Sequence, residues 1–218
     1  VPPIWLQSFA AIYVPLSIAG ALAVLTDIFL LGCRQKMRIM EAVWPLTILY
    51  WGPLGLIFYA SFGRPVSGHG DAVPMWQSTF KGATHCGAGC ALGDLIGDWI
   101  AFQTGLTLVG SLLAGDFALA FLLAYLFGIV FQYFAIAPMR HLGLREGLIA
   151  AAKIDTLSLL AYQLGMVAWM GMRAWLYPVL EPTTWSYWLM MQVAMVFGFL
   201  TTYPVNWFLI ARGVKERM

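Results

Sequence analysis

The sequence predicts an all-α fold, a polytopic integral membrane protein of about six transmembrane helices in one bundle. Three observations predict it. Of the 218 residues, 61% are hydrophobic and 10% charged, with a mean hydropathy of +0.79, whereas a soluble domain carries roughly one-quarter charged residues. The charges fall in short clusters, and between them run apolar stretches of the about 20 residues that a helix needs to cross a hydrocarbon core. Many of the aromatic residues flank those stretches, where rings meet lipid headgroups.

In chain order, the expected helices cover residues 9–31, 39–62, 81–105, 116–136, 148–175 and 184–210. The basic turn CRQKMR separates the first two. Residues 63–80 (GRPVSGHGDAVPMWQSTF) hold Gly, Pro, His and Asp and form the longest extramembrane loop, a place for recognition. Asp116 after Gly115 is the expected N-cap of the fourth helix, and Pro138 its stop. Pro178, Pro182 and Thr183 end the fifth helix and cap the sixth. The tail ARGVKERM reads as basic and solvated, and no repeat or linker divides the chain. The opening VPPIWLQ lacks a basic n-region and a cleavage site, so no signal peptide is expected.

Six crossings would place the N-terminus, the loop 63–80, the turn 139–147 and the tail on one face. The turn after the first helix, the turn near Leu112 and the turn 173–184 would lie on the other. The first face carries more Lys and Arg and is expected to be cytoplasmic, although Arg34, Lys36 and Arg38 form a compact group voting the other way. A bacterial inner membrane is the expected location. A net charge of +2 without a basic, aromatic-interleaved run excludes nucleic acid as a partner. No G-x-S-x-G, H-E-x-x-H, Walker or dinucleotide motif marks an enzyme, so no catalytic residue is assigned.

The densest polar signal lies in the third helix, THCGAGCALGDLIGDW. At helical spacing Cys86, Cys90, Asp94 and Asp98 form one stripe, and Gly89, Gly93 and Gly97 a second, the G-x3-G spacing of close helix packing. Intramembrane carboxylates cost about 2.5 to 3.5 kcal/mol each near the bilayer centre, which argues for a purpose or a partner. His85, Cys86 and Cys90 are soft or borderline donors for a copper or zinc ion. They converge only if the helix distorts near Gly87 to Gly89, because His85 projects about 100° from Cys86 on a regular helix. Packing is the alternative for both thiols, and a bond to a neighbouring carbonyl for His85.

Depth groups more residues near the same face. Lys153 and Asp155 lie one to two turns into the fifth helix, and Thr202, Tyr203 and Asn206 occupy the last turns of the sixth. Asp94, Asp155 and Lys153 are candidates for an ion or proton pathway, with ion pairing or snorkelling the alternative for Lys153 and Asp155. Thr202, Tyr203 and Asn206 would form the pocket wall. His69 and His141 fall near this face, but no haem attachment motif accompanies them. Met166, Met170, Met190, Met191 and Met195 read as apolar packing rather than a copper relay.

The motifs ATHCGAGCALGD, WPLTILYWGPLGL, KIDTLSLLAYQLGM and TTYPVNWFLIARG resemble those of a family of bacterial multi-pass membrane proteins grouped as a domain of unknown function. The resemblance spans most of the chain. It implies a six-helix membrane layout and importance for His85, Cys86, Cys90 and Asp94, and it brings no activity. Two function classes follow from the residue chemistry. One is binding or transport of a soft metal ion through the Cys/His/Asp pocket. The other is a non-catalytic accessory subunit, held by lipid and by other membrane protein subunits.

Overall fold

The computed structural model describes residues 1–65 and 73–217; His69 and the centre of the expected loop lie outside the described residues. The fold is all-α. Among the described residues there are seven α-helices: α1 (Ile4–Phe29), α2 (Met40–Trp51), α3 (Pro53–Phe58), α4 (Met75–Thr104), α5 (Leu112–Arg140), α6 (Leu144–Leu176) and α7 (Trp185–Ala211). Three of them, α1, α5 and α7, are long and apolar enough to cross a membrane. At 30 and 33 residues α4 and α6 have the length too, but their polar stripes lower their hydropathy.

The stretch expected as a second crossing, 39–62, is a hairpin. At Gly52 φ is +60°, a conformation that favours glycine, and Pro53 opens α3 in the N-terminal position where its missing N–H is no loss. The Tyr13 hydroxyl donates to the Trp51 carbonyl at 3.0 Å, and a Cβ on Gly52 would lie 2.6 Å from the Tyr13 ring, so the tip is wedged against the middle of α1. A π-turn over Tyr59–Gly63 brings the second arm back along α2. There Trp44 packs edge-on against Tyr59 and Phe62, with ring centroids 5.5 and 6.0 Å apart.

Arg64, at the end of the hairpin, binds Asp27 at the end of α1 through two hydrogen bonds of 3.0 and 2.8 Å, and the Tyr59 hydroxyl joins at 2.8 Å. Met37 and Ile39, just before α2, pack against Ala135, Ile136, Ala151 and Ile154 of α5 and α6. The hairpin therefore leaves and returns at one end of the bundle. This corrects the expected face assignment. The turn after α1 shares an end with residue 64, the α5–α6 turn and the tail, while the N-terminus lies at the other end.

Smaller differences have local causes. The helix α5 starts one turn before the expected Asp116 cap, because the Ser111 hydroxyl accepts from the Ala114 N–H at 3.2 Å. Thr184 rather than Thr183 caps α7, accepting from the Tyr187 N–H at 3.3 Å. Nor is the tail solvated throughout, since Gly213 at φ +69° reverses the chain and turns Lys215 inward.

Candidate functional site

The α4 helix is regular through its glycines and meets its neighbours with two faces. Gly89, Gly93 and Gly97 lie against Gly128, Ala124 and Ala120 of α5; a Cβ on Gly93 would sit 2.5 Å from the Ala124 Cα. This approach of backbones requires the missing side chains. The stripe of Cys86, Cys90, Asp94 and Asp98 instead faces α6 and α7, and all four residues are buried.

At one end of this seam the Cys86 thiol lies 3.1 Å from the Asp155 Oδ1, and the Lys215 ammonium donates to that oxygen at 2.9 Å and to the Cys86 Sγ at 3.3 Å. The Lys215 and Asp155 side chains are both 0% exposed. Burial alone would lower the pKa of the Lys215 ammonium, but the Asp155 charge outweighs it and holds the group above its ordinary value. Outside, Arg140 grips Glu216 at 2.6 and 2.9 Å, so the tail is fastened at consecutive residues.

Beside this cluster the Asn206 amide donates to Thr202, Thr202 donates to the Ser158 carbonyl at 2.7 Å, and Ser158 donates to the Asn206 Oδ1 at 3.4 Å. One turn along, Gln163 donates to the Cys90 Sγ at 3.5 Å. Farther along, Tyr187 donates to Asp98 at 2.8 Å. Asp98, Asp116, Glu181 and Arg173 line an open cavity of about 530 Å³ at the end opposite Lys215. A narrow gap shared by Asp94, Asp98, Asp116 and Gln163 continues from it toward the middle of α4.

Several expected site residues are elsewhere. His85 is buried but turns to α5, its ring 6.1 Å from that of Phe131, and neither ring nitrogen has a hydrogen-bond partner among the described residues. Because α4 is undistorted, His85 does not join Cys86 and Cys90. Among the described residues no group of three or more His, Cys, Asp or Glu side chains is placed to hold a metal ion. Lys153 is exposed, and the cation beside Asp155 is Lys215. Tyr203 lies away from the cluster and donates to the Trp76 carbonyl at 3.2 Å. The exposed His141 ends α5. Met166, Met170, Met190, Met191 and Met195 pack in the core. Cys33 meets Arg64 at 3.3 Å, and all three cysteines are free.

Sequence reasoning did not single out Lys215, Gln163 or Arg173. The one local signal for Lys215 is Gly213, a residue suited to reversing the tail.

A domain of unknown function, DUF4396, matches residues 75–215, which take in the whole seam from Cys86 to Lys215. The chain belongs to the DUF4396 family. No curated protein and no solved structure matches it significantly. The family match covers α4 to α7 and the tail, the elements that build the seam, and leaves α1 and the hairpin outside.

Proposed function

We propose that this DUF4396 protein is an integral membrane protein that moves a cation along the seam between α4 and α6. The supporting observation is the buried row itself. From Lys215, Asp155 and Cys86 it passes through Cys90 and Gln163 to Asp94, Asp98 and Asp116, and opens into the 530 Å³ cavity. Cys86 and Asp98 are separated by about 18 Å of helix, over half the thickness of a hydrocarbon core. Exchangeable groups at such steps suit a proton or a small cation, and burying them in lipid is costly without that use.

In this reading α1, α4, α5, α6 and α7 cross the bilayer, and the hairpin 40–63 enters it and returns. Every Lys and Arg except Arg173 then belongs to the half of the bundle that contains Lys215, which makes that end cytoplasmic by the positive-inside rule. The bacterial inner membrane follows as the proposed location. Cysteines introduced at Lys36, Arg145 and Arg217 should label from one side of the membrane, and a tag before Val1 should report from the other. Opposite labelling of positions 36 and 145 would remove the re-entrant hairpin.

Transport is tested in proteoliposomes with an enclosed pH dye. A proton current present in the wild type and lost in Asp94→Asn supports the path; equal currents in both, or none in either, remove it as a proton path. The narrower form of the proposal takes a copper- or zinc-class ion as cargo, with Cys86 and Asp155 as donors once Lys215 withdraws. Elemental analysis of wild type beside Cys86→Ser and Cys90→Ser decides that form, since metal content independent of both thiols would exclude it.

A further inference from the structure

The hairpin ends at mid-depth, and beyond its tip a second cavity of about 250 Å³ opens between α1, α4 and α7. Trp99, Trp185 and Trp188 form part of its wall, with Trp99 and Trp188 stacked at 6.4 Å. Its polar lining includes Asp94 and Gln192, 2% and 8% exposed. The Gln192 amide nitrogen donates to the Leu49 carbonyl at 2.6 Å, which fixes the orientation of the amide and leaves Oε1 without a hydrogen-bond partner among the described residues. The Asp94 Oδ2 is likewise unpartnered among them.

A cavity whose wall holds two unpartnered, buried acceptors beside indole faces selects its ligand by chemistry. A group that donates hydrogen bonds and carries positive charge satisfies both oxygens, and an indole face attracts the same cation. A lipid tail would fill the apolar space and leave the carboxylate unsatisfied. A hard metal ion wants six or more oxygens, which two acceptors among tryptophans do not provide. We propose that this cavity binds a small organic ammonium ion, its N–H groups on Asp94 and Gln192 and its apolar part against Trp99 and Trp188. The inference deepens the cation reading and rests on it in taking Asp94 as a cation-binding carboxylate.

The experiment uses the full chain in mild detergent and follows tryptophan fluorescence and thermal unfolding during titration with phenethylammonium chloride. Phenethyl alcohol, of the same shape without the charge, is the control. The ammonium should saturate the fluorescence change and raise the unfolding temperature, with the alcohol at least about tenfold weaker. Asp94→Asn should reduce that preference to near parity, and Trp188→Leu should weaken the ammonium severalfold. Equal binding of ammonium and alcohol by the wild type would overturn the proposal, leaving an apolar cavity only. An absence of saturable binding would also overturn it. Should Asp94→Asn fail to fold, the wild-type comparison still decides. Ammonium binding in a protein that passes no current keeps this site and removes the path; current without ammonium binding does the reverse.

Discussion

Replacing Lys215 by Met tests whether the tail is fastened into the seam. The substitution keeps an unbranched stem of similar volume and removes the charge. Asp155 would then retain only the Cys86 thiol at 3.1 Å, with its second oxygen already lacking a partner among the described residues. Both side chains of the pair are 0% exposed, so water cannot replace the ammonium in the native arrangement. Breaking a buried pair from one side costs about 3 to 5 kcal/mol. That is a fall of roughly 140- to 4,000-fold in the folding equilibrium, at about 1.4 kcal/mol per tenfold. Combining Lys215→Met with Asp155→Leu removes the stranded charge, so the double variant should recover most of the loss. Reversible denaturation in mixed micelles measures the stabilities, and limited proteolysis after Arg212 reports release of the tail. The raised pKa of Lys215 sets the pH course. Its contribution is complete below the ordinary lysine value of about 10.4 and is lost only as pH rises through the higher folded value, so the wild-type tail should stay protected from pH 6 to 9. A Lys215→Met protein within about 0.5 kcal/mol of wild type, with its tail still protected, would refute the reasoning.

Other outcomes follow from the packing and the surface pairs. Gly93→Ala should destabilise more than Gly97→Ala, because the added carbon lies 2.5 Å from the Ala124 Cα in one case and 2.9 Å from the Ala120 Cα in the other; overpacking costs about 1 to 3 kcal/mol, readable in the same denaturation assay. Arg64→Ala removes a guanidinium that is half in solvent, so its effect on stability should be small and shrink with added salt. Gly52→Ala meets both a positive φ and the Tyr13 ring at 2.6 Å, and should lower the unfolding temperature more than Gly171→Ala, where nothing lies within 4 Å.

Much of the fold was legible because long apolar runs announce helices, and much of the seam because residues four apart on a helix share a side. Cys86, Cys90, Asp94 and Asp98 were a stripe before they were a structure, and so were the three glycines that now meet α5. The hairpin was not legible in the same way. Residues 39–62 are long and apolar enough to read as a crossing, and only the Gly52–Pro53 break and the complementary charges of Asp27 and Arg64 distinguish them. Parity then carried that one misreading to the N-terminus. Lys215 was illegible for another reason: a basic tail beyond a helix is ordinarily hydrated, and its burial depends on a carboxylate 60 residues away. His85 lost its place beside the thiols because the regular helix kept its direction.

The hairpin also gives the buried acids their different surroundings. Its tip occupies the half of the space between α1, α4 and α7 nearer Lys215, so Tyr50 and Leu49 meet α4 and α7 near Gly87 and Gln192. Beyond the tip none of the described residues fills that space, and the second cavity begins there with Asp94 in its wall. Asp155 lies below that level and receives a tethered cation, whereas Asp98 lies above it and receives the Tyr187 hydroxyl. Asp94 alone of the three lines both the narrow gap toward Asp116 and the indole-walled cavity. On the proposed path, a cation entering by either route would meet Asp94 before Cys86, and Lys215, which holds Asp155 at 2.9 Å, would have to leave it before the cation could pass.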